Sequence, residues 1–122
     1  MQRRYMFKIS IYFTLLLFLV SCSETQPRTC YSFDEKQCRF DPWASSVSDT
    51  SKEESIIHYL STVGVKVEEM YIDIAFHEVA CLACAVCPSG PRIYIAVKEE
   101  DEQLLATLDL LNLTKTDCSN LP

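Results

Sequence analysis

Apolar positions recur along this chain with two periods. Ile56, Ile57, Leu60 and Val63 fall at helical spacing. Ser51 and Glu54 ahead of them form a capping box, and Glu53 and Glu54 suit the positive end of a helix. Gly64 offers a left-handed stop, so the pattern predicts a helix over 52–63. Val65 and Val67 then alternate, the phase slips at Glu68-Glu69, and from Met70 the alternation is clean. Met70, Ile72, Ile74 and Phe76 share one face, and Tyr71, Asp73, Ala75 and His77 the other. This predicts a half-buried strand, bulged at Glu68-Glu69. Ile93, Ile95 and Val97 alternate with Arg92, Tyr94, Ala96 and Lys98, which predicts a second strand antiparallel to the first. Cys81 to Pro91 then forms the long tip of a hairpin.

Leu104, Leu105, Leu108 and Leu111 return to helical spacing, and a second helix is expected from 99 to about 111. The acids Glu99, Glu100, Asp101 and Glu102 sit at its start, where the macrodipole favours them. A cation or partner site is the rival reading of that run. Phe40-Asp41-Pro42-Trp43 is a turn signal, with Trp43 read as core packing. Residues 44–51 read as loop, and residues 112–122 as a tail held through Cys118. The segment 30–38 carries no clear period, although residues 29–40 have room for a short strand. The expected fold is α+β: a small antiparallel sheet with two helices on one face, in the order helix–strand–strand–helix. Ile72, Ile74, Phe76, Ile93 and Ile95 are the expected core face of the sheet.

The first 21 residues have a different character. Arg3, Arg4 and Lys8 precede an apolar run from Ile9 to Val20. That run is shorter than the roughly 20 residues needed to span a bilayer, but it suits the apolar region of a signal peptide. It ends in Leu19-Val20-Ser21-Cys22, which resembles the bacterial lipobox. The resemblance covers the leader alone. It implies cleavage before Cys22, thioether lipidation of Cys22, and acylation of the new amino terminus. Ser23 in place of an aspartate lacks the look of an inner-membrane retention signal, so the resemblance favours the outer membrane. The expected organisation is a lipoprotein signal peptide over 1–21, a lipidated cysteine and tether over 22–29, and one small cysteine-rich domain over 30–122.

Removing residues 1–21 takes away three basic residues and no acidic ones, leaving 8 Lys+Arg against 17 Asp+Glu, a net charge of −9. Nucleic acid is not an expected partner, because phosphate binding needs basic patches. The expected partners are a membrane, through the lipid anchor, and another protein of the cell envelope.

With Cys22 set aside, six cysteines remain: Cys30, Cys38, Cys81, Cys84, Cys87 and Cys118. In an exported small domain an even count reads first as disulfides, with 15 connectivities open. Three of the six lie in one cluster, so at least one of Cys81, Cys84 and Cys87 must reach Cys30, Cys38 or Cys118. A second reading is a metal site. His77, Cys81, Cys84 and Cys87 offer one imidazole and three thiolates, a donor set for Zn or Cu(I). A third is thiol–disulfide exchange through Cys81-Cys84 or Cys84-Cys87, although Pro88-Ser89-Gly90-Pro91 predicts a turn where a reactive C-x-x-C opens a helix. No Ser-His-Asp pattern or phosphate-cradling loop is visible, so catalysis has no candidate residues. The sequence is read as a membrane-anchored binding or structural module needing no cofactor, with the metal-binding domain as its alternative.

Overall fold

The computed structural model describes residues 27–45, 51–78 and 82–121. The expected leader, Cys22 and most of the tether lie outside the described residues, as do Val79 and Cys81. The described chain is α+β, a four-stranded antiparallel sheet with two helices.

The strands are β1 (Arg28–Lys36), β2 (Val67–Asp73), β3 (Pro88–Lys98) and β4 (Leu111–Thr116). The helices are α1 (Lys52–Thr62) and α2 (Glu102–Leu105). Short 3-10 turns cover Gln37–Arg39, Pro42–Ser45, Glu99–Asp101 and Cys118–Asn120. The strands lie in the order β2-β3-β1-β4, and every neighbouring pair is antiparallel. A strand therefore sits between each pair joined by a helix. Two such split β-α-β units interlock, as in ferredoxin-like sheets.

The first helix follows its local signals. Ser51 accepts from the Glu54 N–H at 3.2 Å, and the Glu54 carboxylate accepts from the Ser51 N–H at 3.2 Å, closing the capping box. At the other end Gly64 takes φ 92°. The Val65 N–H donates to the Leu60 carbonyl at 2.9 Å and the Gly64 N–H to that of Ser61 at 3.0 Å. This is a Schellman stop, with its apolar contact supplied by Val65 and Leu60, both in the core.

The core lies between the helices and one face of the sheet. Tyr31, Phe33, Ile93, Ile95 and Val97 supply the sheet side, Ile56 and Leu60 come from α1, and Leu105 from α2. Trp43 packs edge-on to Phe33 with ring centroids 5.9 Å apart. On the opposite face a smaller cluster of Cys30, Ala96 and Leu121 is closed by the Cys30–Cys118 disulfide. That bridge spans 88 residues of sequence and ties the end of the chain to the central strand. Loop closure on this scale removes about 4–5 kcal/mol of unfolded-state freedom.

Several expectations need correction. The order is strand–helix–strand–strand–helix–strand, because residues 28–36 and 111–116 are full strands. The helix expected over 99–111 is a 3-10 turn and a single α turn ending at Leu105. The chain is needed as the edge partner of β1, and the pairing of Ser32 with Thr114 and Cys30 with Thr116 takes it over. Residues 112–116 are accordingly strand and not tail, while Cys118 beyond them ties down the end of the chain, as expected of it, by its bond to Cys30. The bulge expected at Glu68-Glu69 is present as a register shift between Val67 and Glu69.

The strand before the cysteines stops at Asp73, four residues earlier than its alternation suggests. Asp73 Oδ1 accepts the Ala75 N–H at 3.1 Å, and this side-chain turn bends the chain out of the sheet. Ile74 is therefore 77 % exposed and Phe76 41 % exposed, and neither belongs to the core. Tyr71 and Tyr94 lie on the face away from the core, stacked with centroids 6.1 Å apart.

Phe33→Ala should destabilise the protein by about 3–5 kcal/mol, the range for emptying a fully buried aromatic site. Phe76→Ala should cost clearly less, since much of that ring already meets water. Urea denaturation of both variants would check this, and equal losses would contradict the packing described.

Candidate functional site

The end of the sheet where β1 and β2 finish and β3 begins gathers most of the chemistry-bearing residues. Its foundation is Asp34, a carboxylate with no solvent exposure inside the central strand β1. Arg92 of β3 donates to it twice, Nε to Oδ1 at 2.7 Å and Nη2 to Oδ2 at 3.1 Å. Asn112 of β4 donates to Oδ2 at 2.8 Å. His77, just after β2, places Nε2 3.0 Å from Oδ1. One carboxylate on β1 thus collects groups from the three other strand regions. Burial by itself pushes the Asp34 carboxyl up, but the hydrogen bonds from Arg92 and Asn112, with the His77 ring close by, outweigh it and hold the group below the ordinary carboxylate range. The same pairing raises Arg92. Phe76 lies over the Arg92 guanidinium at 4.0 Å and edge-on to the His77 ring at 4.7 Å, which explains why this aromatic leaves the core.

Next to this clamp, β1 ends in a tight turn. The Lys36 N–H donates to Asp41 Oδ2 at 2.7 Å, closing the turn, while Lys36 Nζ reaches Asp109 at 2.7 Å. Cys38 and Arg39 inside the turn take φ 61° and 57°. Left-handed backbone costs a non-glycine residue about 1–2 kcal/mol. Cys38 is bonded to Cys84, with Cα atoms 5.4 Å apart. The turn around Cys84 holds a third left-handed residue, Ala85 at φ 66°. Two bonds lace this turn to β1: the Gln37 N–H to the Cys87 carbonyl at 3.0 Å and Gln37 Nε2 to the Pro88 carbonyl at 3.2 Å. Outside the lacing stand apolar side chains: Phe40, Ile74, Leu82 and Val86, with Leu82 92 % exposed.

The structure places the cysteines as follows. Cys30 bonds Cys118, and Cys38 bonds Cys84, so one cluster cysteine does reach outside the cluster. Cys87 is buried and also disulfide-bonded, to a partner outside the described residues. The metal reading needs His77, Cys81, Cys84 and Cys87 together. In the oxidised protein Cys84 and Cys87 offer no thiolate, His77 faces Asp34, and Cys81 is not among the described residues. Among the described residues no group of three or more His, Cys, Asp or Glu is placed to hold a metal ion.

Sequence reasoning missed the Asp34 clamp. A charged residue at alternate positions with Cys30 and Ser32 was the available signal, but its meaning depends on Arg92 lying opposite, which only the register supplies. No family model, curated protein or solved structure matches this chain.

Asp41 gives the site a pH dependence. Burial raises its carboxyl from 3.8 to about 6, against the lowering effect of the Lys36 N–H, and its Oδ1 is buried with no hydrogen-bond partner among the described residues. Because the folded value lies above the unfolded one, its contribution to stability is complete below about pH 4 and is lost as pH rises through 6. Asp41→Asn keeps an acceptor for Lys36 and removes the charge. It should gain on the wild type by about 2 kcal/mol between pH 4 and 7, since each tenfold change in proton affinity is worth about 1.4 kcal/mol. Denaturant melts across that range test this, and a gap that does not change with pH would contradict it.

Proposed function

We propose that this chain is a lipid-anchored lipoprotein of the cell envelope, in the outer membrane by the character of its leader, and that it works as a binding module. The anchor rests on Leu19-Val20-Ser21-Cys22 and the apolar run before it. An attached diacylglycerol with an N-acyl chain exceeds the two signals needed for stable anchoring. Among the described residues no helix is long and apolar enough to cross a membrane, so the lipid is the membrane attachment we put forward. With four cysteines paired and Cys22 lipidated, Cys81 is the partner we assign to Cys87.

The observation that carries the binding reading is the set of exposed apolar side chains at one cross-linked end of the sheet: Phe40, Ile74, Phe76, Leu82 and Val86. Single exposed apolar residues need no explanation, but a collection on one clamped and stapled end does. The occupant we propose is another envelope protein, and the argument is geometric. Five residues separate Cys22 from Arg28, where β1 begins, a reach of at most about 20 Å. The apolar end lies at the finish of β1, a further strand length of about 30 Å away. With the domain standing end-on over so short a tether, the stance we propose, that end points away from the bilayer that holds the anchor. Two copies in one membrane would present these ends side by side and not face to face. Arg39 is exposed there and, among the described residues, makes no ion pair, so carboxylates at the margin of the partner's apolar surface would complement it.

Two measurements test this reading. Cys22→Ala should leave the leader uncleaved and prevent incorporation of labelled fatty acid. A variant that is processed and still sediments with membranes would contradict the anchor. A benzophenone amino acid at position 82 in intact cells should give a protein adduct that is lost when Ile74→Glu is added. The same probe at Ile57 should give none. Adducts with lipid or with a second copy of the chain, or equal adducts from both positions, would contradict the proposed surface.

A further inference from the structure

We infer that the Cys38–Cys84 bridge is a thiol–disulfide exchange site for an external dithiol, opening ahead of the Cys30–Cys118 bridge. The two bonds sit in opposite surroundings. Cys30 is 2 % exposed and packed with Ala96 and Leu121, and its partner Cys118 is partly buried against the same cluster, so an incoming thiolate is hindered at both sulfurs. Cys38 and Cys84 are both solvent-exposed. Exposed and strained disulfides are the ones that exchange.

Strain is the second, independent observation. Four non-glycine residues in the described chain have positive φ, and three of them flank this bond: Cys38, Arg39 and Ala85. Such conformations persist only where the surroundings force them. Breaking the bond releases both turns at once. The sheet does not depend on it, since β1 keeps its ladders to β3 and β4 and Gln37 keeps its bonds to Cys87 and Pro88.

The step balances as ordinary exchange. A thiolate of the dithiol attacks Cys84 Sγ, the disulfide bond breaks, and its electron pair leaves on Cys38 as thiolate. The exposed cation of neighbouring Arg39 favours that leaving group. The second thiol of the dithiol loses its proton and attacks the mixed disulfide. This closes the reductant's own disulfide and expels Cys84 as thiolate. Two electrons pass to the protein, and the two protons given up by the dithiol go to the new thiolates or to solvent. Opening removes the covalent link between the two turns and leaves the Leu82–Val86 segment held to the end of β1 by the Gln37 hydrogen bonds, which would place the proposed binding surface under redox control. The exchange itself stands whether or not that surface has a partner.

The test uses mature lipidated protein in detergent micelles, graded dithiothreitol at neutral pH, an iodoacetamide quench, and peptide mass mapping. Cys38 and Cys84 should become alkylated at about tenfold lower reductant than Cys30 and Cys118. Far-UV circular dichroism should be unchanged at that point. Ala85→Gly, which relaxes the left-handed turn without altering exposure, should require several-fold more reductant to open the same bond. Simultaneous opening of both bridges, earlier release of Cys30–Cys118, or an Ala85→Gly variant reduced as readily as the wild type would each overturn the assignment.

Discussion

The structure depends on the buried Asp34 carboxylate. A charge without solvent contact in the middle of a central strand is tolerated only when its oxygens are fully partnered. Here the partners come from different strand regions: Arg92 from β3, Asn112 from β4, and His77 from the segment leaving β2. The pairing acts as a registry device. A slip of any one strand by a residue would turn its donor to the opposite face and leave the carboxylate uncompensated. The clamp also draws Phe76 out of the core and over Arg92, and this contact fixes the path of the chain toward the cysteines.

Disulfides complete what a small core cannot hold by itself. The sheet is covered by one three-turn helix and one single-turn helix, and the buried strand residues of the main cluster come from β1 and β3, with Val67, Met70 and Ile72 of β2 and Leu113 of β4 only partly buried against it. Cys30–Cys118 closes the face opposite the helices, where few apolar residues are buried. Cys38–Cys84 closes the far end of the sheet, where two turns with left-handed residues meet. The two bridges therefore do different work. One extends the core, and the other holds a surface in a shape the backbone would not choose unaided.

The same division explains why one end of the molecule is the place to look for function. The helix-covered face is filled, and the disulfide-covered face is closed at the chain terminus. At the cysteine-bearing end, apolar side chains stand outside a scaffold fixed by hydrogen bonds, an ion-pair clamp and a covalent bond. A surface preorganised in this way loses little freedom on binding. The topology, shared by many unrelated sheets, carries no functional information of its own.

The sequence by itself determined the elements whose signals are local. The first helix was legible in full because its cap and its stop are each written within a few residues: Ser51, Glu54 and Gly64. The bulge at Glu68-Glu69 and the core face of Ile93, Ile95 and Val97 were legible from phase alone. Tertiary structure decided the rest, for a physical reason common to each case. Leu104 to Leu111 has helical spacing, yet β1 has an edge whose hydrogen-bonding groups need a partner, and pairing Ser32 with Thr114 satisfies them. Residues 28–36 carry mixed side chains because they form a central strand with a filled face and a polar clamp, and neither face was recognisable before its neighbours were known. Ile74 and Phe76 keep the rhythm of a strand after Asp73 has already turned the chain aside. The cysteines could be counted, and parity required a bond leaving the cluster. Which cysteine answers Cys84 was fixed by the turn that carries Cys38 to it, a contact 46 residues away in sequence.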